Sequence, residues 1–141
     1  MGTWTPLLLI LIATSGYGFW YQRSRGRVVT ASPKAQSEPL RLISSLEIGS
    51  ELGSRVTLVQ FSSAFCSPCR ATRALLTDIV ADLPDVVHVD IDAESHLELV
   101  RKLDIRSTPT TIILDARGLE VGRAVGAPRR DQVIATLANV K

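Results

Sequence analysis

Cys66 and Cys69 are the only cysteines of the 141-residue chain, and two residues, Ser67 and Pro68, separate them. A structural disulfide framework spreads several cysteines so that the bridges close long loops. A bridge across two residues closes almost no loop and stabilises little. The spacing therefore suits reversible thiol chemistry. A zinc half-site needs two further ligands, and the spacing of His88 and His96 from the pair fits no common zinc pattern. The nucleophile in thiol–disulfide exchange is the thiolate, and a helix N-terminus lowers a cysteine pKa from about 8.5 to about 7 or below. Cys66 stands where an apolar β-branched run gives way to a helical pattern, so backbone N–H groups and the helix dipole favour its charge. Cys69 follows by about one turn and reaches back to it. Pro68 is tolerated in a first helical turn and stiffens the backbone between them. The expected reaction is attack by Cys66 on a disulfide, followed by displacement by Cys69. It requires no cofactor. Its partners are a disulfide-bearing protein or small molecule and an electron-donating reductase or dithiol.

The elements that must hold this pair follow from the hydrophobic pattern. Residues 55–61 (RVTLVQF) read as a buried strand. Residues 66–83 read as a helix with Leu75, Leu76, Ile79, Val80 and Leu83 on one side, stopped by Pro84. Residues 86–91 form a second strand, 93–103 a helix, and 110–114 (TTIIL) a third strand. Asp115-Ala116-Arg117-Gly118 turns into a strand over 120–125, and Pro128 opens a last helix with Val133, Ile134, Leu137 and Val140 as its stripe. Upstream, 40–43 reads as a short edge strand and 45–52 as a short helix closed by Gly53. The order βαβαβαββα implies an α/β fold with a central mixed sheet flanked by helices.

Residues 1–22 carry no charged side chain. The apolar run from Leu7 continues to Trp20-Tyr21, with Trp4 at its other end, and suggests one N-terminal transmembrane helix over 1–22. A cleavable signal peptide is the alternative, but the positive charge follows the run and Val29-Thr30-Ala31 is a distant cleavage candidate. Arg23, Arg25 and Arg27 place the following domain on the cytoplasmic side of a single-pass cell-membrane anchor. Residues 23–38, rich in Ser, Gly and Pro, read as a linker, and 39–141 as the domain. Hydrophobic content of 45% and charged content of 21% exclude general disorder. A net charge of +2, with its basic excess just after the apolar run, gives no basic face for nucleic acid.

Three segments together resemble the thioredoxin family over residues 39–141. They are residues 57–69 (TLVQFSSAFCSPC), 86–92 (VVHVDID) and 104–110 (DIRSTPT), with Val125-Gly126-Ala127 matching a glycine turn of the family. The resemblance implies a thioredoxin-like fold and a cis Pro109 whose loop lies against Cys66. It also implies that the backbone beside Thr108 pairs with a substrate chain like an added strand. Two departures stand beside the cysteines, where Phe65 and Ser67 replace the usual Trp and Gly. Gln60 occupies the place of the family's buried acid and cannot accept its proton. His88 falls where a lysine is frequent, and is either a replacement proton shuttle or a polar residue at a strand end. Three functional readings remain. The first is a membrane-tethered dithiol reductase, the second an extracytoplasmic oxidoreductase of the cytochrome-maturation type, and the third a non-catalytic binding module on the same fold.

Overall fold

Alternating β-branched runs and amphipathic stretches set the order α1 (Thr5–Ser24), β1 (Val28–Thr30), α2 (Ser45–Ile48), β2 (Val56–Ser62), α3 (Ser67–Val80), β3 (Val86–Asp92), α4 (Leu97–Lys102), β4 (Thr110–Asp115), β5 (Glu120–Val125) and α5 (Arg130–Asn139). The structure, a computed structural model, describes residues 5–24, 28–30 and 42–140. Trp4, Arg25, Arg27, residues 31–38 and 39–41 lie outside the described residues. The sheet order is β1-β5-β4-β2-β3. β2 runs parallel to β3 and antiparallel to β4, and β5 is antiparallel to both β4 and β1. β1 falls within the stretch expected as a linker and pairs Val28 with Ala124 at the sheet edge. The expected edge strand over 40–43 is a single bridge, Leu42 to Leu119.

The two faces of the sheet carry separate cores. Val59, Phe61, Ile112 and Leu114 pack with Ile48, Leu99 and Leu103 on the α2 and α4 side. Val56, Leu58 and Ile113 pack with Leu76 and Ile79 of α3 and Val133 and Leu137 of α5 on the other. β2 is buried at every position, which is why its sequence is nearly all apolar or β-branched. Each fully buried Leu, Val or Phe contributes about 1.5–3 kcal/mol. Arg55, just before β2, pairs with Asp85 and donates to the Leu137 carbonyl at 2.6 Å, satisfying a free C=O at the end of α5. α2 closes at Gly49, not at Gly53, because Gly49 takes the left-handed φ of 65° that ends the helix.

The N-terminal anchor is corrected. α1 is 20 residues long, yet among the described residues no helix is long and apolar enough to cross a membrane. The strongly apolar run ends at Ala13, and Thr14, Ser15, Gly16, Tyr17 and Gly18 dilute the second half of the helix. Thr14 turns its hydroxyl back to the Ile10 carbonyl at 2.8 Å, as a polar residue does in an apolar helix. The single-pass cell-membrane placement, the membrane as a partner and the cytoplasmic orientation read from Arg23, Arg25 and Arg27 fall with it.

Gly118 ends the β4–β5 turn at φ 82°, and a Cβ there would lie 2.2 Å from the Ile43 carbonyl oxygen. The Ile43 N–H bonds the Gly118 carbonyl at 2.9 Å, so the two backbones cannot separate without loss. Gly118→Ala is expected to cost about 1–3 kcal/mol, read as a lower urea midpoint. An unchanged midpoint would contradict the packing. On β3, His88 packs over α3 with Nδ1 3.4 Å from the Thr77 hydroxyl and a buried Nε2 without a partner. Burial is the main cause that lowers its pKa; the Asp90 carboxylate opposes this and the Arg73 guanidinium adds to it. The unfolded chain therefore binds a proton near pH 6.5 that the folded protein resists, so stability is full above that pH and falls below it. His88→Gln is expected to flatten the loss of stability between about pH 7.5 and 5.5. Parallel losses in parent and variant would rule the effect out.

Candidate active site

Cys66 is the N-cap of α3, in extended conformation, and its sulfur accepts the Cys69 N–H at 3.1 Å. It thus lies on the free N–H groups of the first turn, the place where a thiolate is stabilised. Ser67 and Pro68 fill the first two helical positions, where the missing proline N–H costs nothing. Cys66 and Cys69 form a disulfide, with S–S 2.02 Å and Cα–Cα 5.2 Å. Cys66 is half-buried, whereas Cys69 is 1% exposed. The accessible sulfur is therefore the one at the helix start. Phe65 beside it is 99% exposed and packs on nothing.

The Thr108–Pro109 bond is cis, as the resemblance implied. The Thr108 hydroxyl lies 3.2 Å from that of Ser63, which joins the proline loop to the segment leading into Cys66. The loop is held at two further points. Gly126 N–H bonds the Pro109 carbonyl at 2.8 Å, and the Thr110 hydroxyl bonds the Ser107 carbonyl at 2.7 Å.

Behind the pair, Gln60 is fully buried and its Nε2 donates to the Cys69 carbonyl and to the Ser62 hydroxyl, each at 2.9 Å. Ser62 donates in turn to Asp90, which also pairs with Arg73 of α3. Gln60 is therefore brought to the cysteines. His88 is not: its neighbour Thr77 lies eight residues along α3 from Cys69, roughly 12 Å. Ser62, Ser63 and Asp90 were not singled out from the sequence. The signal for two of them is available: Ser62 shares the face of Gln60 by the two-residue period, and Asp90 is the register partner of Gln60 on β3. Among the described residues no group of three or more His, Cys, Asp or Glu is arranged to hold a metal.

A family model described as Thioredoxin matches residues 47–139. Thioredoxin H5 of Oryza sativa subsp. japonica is 34% identical over 87 residues, covering 62% of this chain and 63% of its own length. The chain thus spans a little under two thirds of that relative. Thioredoxin of Chlamydia trachomatis is 27% identical over 99 residues, covering 70% of this chain and 96% of the relative. Among solved structures, thioredoxin NaTrxh of Nicotiana alata superposes with TM-score 0.59 at 27% identity, over 74% of this chain and 96% of that one. With the matching model over most of the domain and a CxxC pair joined as a disulfide, the chain belongs to the thioredoxin family.

Proposed function

We propose that this chain is a protein-disulfide reductase whose domain runs over residues 39–141. The observation that carries the reading is the asymmetry of the pair, an accessible Cys66 sulfur on a helix N-terminus and a buried Cys69 one turn behind it. A dithiol or a reductase opens the Cys66–Cys69 bond and is itself oxidised to a disulfide. Cys66 then attacks a sulfur of the substrate disulfide as the thiolate and releases one substrate thiol. Cys69 displaces the second substrate thiol from the mixed disulfide, and the Cys66–Cys69 bond re-forms. The backbone at Thr108 and Pro109 borders this site through the Ser63 contact, so a substrate chain laid along it meets Cys66. Phe65 gives the substrate an apolar contact that is fully exposed in the free protein.

The test is turnover of insulin disulfides with dithiothreitol as donor. Cys66→Ser is expected to abolish it, and turnover that survives loss of both cysteines would end the reading. Phe65→Ala is expected to raise KM for insulin about three- to tenfold with little change in kcat, as loss of about 1 kcal/mol of apolar contact does. A selective fall in kcat would instead place Phe65 in the chemistry.

A further inference from the structure

The buried amide of Gln60 has a fixed orientation and an unmet need. Ser62 gives its only hydroxyl hydrogen to Asp90, so it can only accept from Gln60. The Cys69 carbonyl likewise can only accept. Both contacts assign the nitrogen of Gln60 to the Ser62 hydroxyl and the Cys69 backbone carbonyl, and the carbonyl oxygen Oε1 is left buried with no hydrogen-bond partner. Nearby positions carry the same deficit. Thr111 stands directly across from Gln60 in the β2–β4 register, and Thr72 follows Cys69 by three residues on the buried side of α3. Both hydroxyls are buried and unpaired, and neither bonds Oε1. Oε1 is the only one of the three atoms that is solely an acceptor. A buried acceptor without a donor costs about 1–3 kcal/mol, and the amide that carries this one is bonded through Nε2 to the backbone carbonyl of Cys69, the residue whose chemistry changes.

In the disulfide form the Cys69 sulfur has no hydrogen to give. Reduction supplies one. A dithiol donor delivers two electrons and two protons, the S–S bond breaks, the donor becomes a disulfide, and two thiols form. Cys66 releases its proton to solvent at the helix N-terminus, while Cys69 keeps its own in the buried space. We propose that Gln60 Oε1 accepts the Cys69 S–H in the dithiol form, so that an acceptor left unsatisfied by oxidation is satisfied by reduction. Gln60 thus stabilises the reduced state and holds Cys69 as a thiol. Ser62 and Asp90 act through it as positioning residues. This rests on the reading of Cys66–Cys69 as a working redox pair.

The experiment is the equilibrium of the full chain with a glutathione series, for the parent and for Gln60→Met, which keeps the volume and removes both polar atoms. The variant is expected to favour the disulfide about three- to tenfold more than the parent, tenfold corresponding to about 30 mV for this two-electron couple. Loss of the two Nε2 bonds alone would lower the urea midpoints of both redox forms alike and leave the equilibrium constant where it was. That result, or a shift toward the dithiol, overturns the proposal. A parent protein that fails to equilibrate with glutathione at all overturns the reductase reading instead. If Gln60→Met does not fold, the parent decides the matter. The Gln60 side-chain carbonyl carbon is expected to change its NMR shift between the disulfide and dithiol forms. An unchanged shift means that Oε1 is served by something indifferent to redox state, such as a buried water, and the proposal fails.

Discussion

Strand β2 is hydrogen-bonded along both edges and packed on both faces, so its C-terminal end is fixed in every direction. That fixed end is where the redox chemistry begins. Ser62 closes the strand and its carbonyl takes the Ala93 N–H at 2.9 Å, which ties the end of β3 to the same point. α3 then starts at Ser67, leaving a short turn in which Cys66 caps the helix. A register slip of one residue in β2 would carry Gln60 and Ser62 to the opposite face. Cys69 would lose the donor on its carbonyl, and the α3 side of the sheet would receive Val59 and Phe61 in their place. The two separate cores resist such a slip, because each accepts only its own alternate residues.

Much of this was legible in the sequence, and the exceptions have physical causes. The strands over 55–61, 86–91 and 110–114 match β2, β3 and β4 to within a residue or two. β2 and β4 are buried at every position and written as nearly unbroken apolar or β-branched runs, while the edge strand β3 is only partly buried and still carries Val86, Val87, Val89 and Ile91. The core stripe of α3 was only half read. Leu76 and Ile79 are buried as expected, but Leu75, Val80 and Leu83 are only partly so, and Cys69 and Thr72 complete the stripe. Ranking residues by hydrophobicity hides a buried threonine that lies on the correct face. Helix ends are the least legible: α3 ends at Val80, three residues short of the expected Leu83, and α4 starts four residues late, since termini follow capping bonds and tertiary contacts. The N-terminal run misleads because it lacks charge without being sufficiently apolar: Thr, Ser, Gly and Tyr fill its second half.

At the candidate site, the sequence singles out Gln60 as the departure but not what replaces a carboxylate there. A lone charge behind Cys69 would have to be buried unpaired, which is costly. The chain instead keeps the charge at the rim. Asp90 is partly exposed and paired with Arg73, and Ser62 links it to a neutral amide inside. Electrostatic demand is thereby met near solvent, while the interior holds only dipoles. That arrangement depends on register across two strands and on one turn of α3, so no single stretch of sequence contains it.

The proposed substrate side is built by a different logic. The Pro109 loop is held by Ser63, Gly126 and the Thr110 hydroxyl, so its backbone is ordered before any partner arrives. Binding to a preordered edge loses less conformational entropy than binding to a loose one. Phe65 is the opposite case, a large side chain with no packing partner in the free protein. Its burial would add favourable apolar area on binding, and it carries no donor or acceptor that must be matched. In the proposed reaction the hydrogen-bonded loop sets where a chain lies relative to Cys66. The phenyl ring adds affinity without demanding a particular partner. A reductase that must accept disulfides in varied surroundings requires that division, because strict geometry is needed at the sulfur and tolerance is needed beside it.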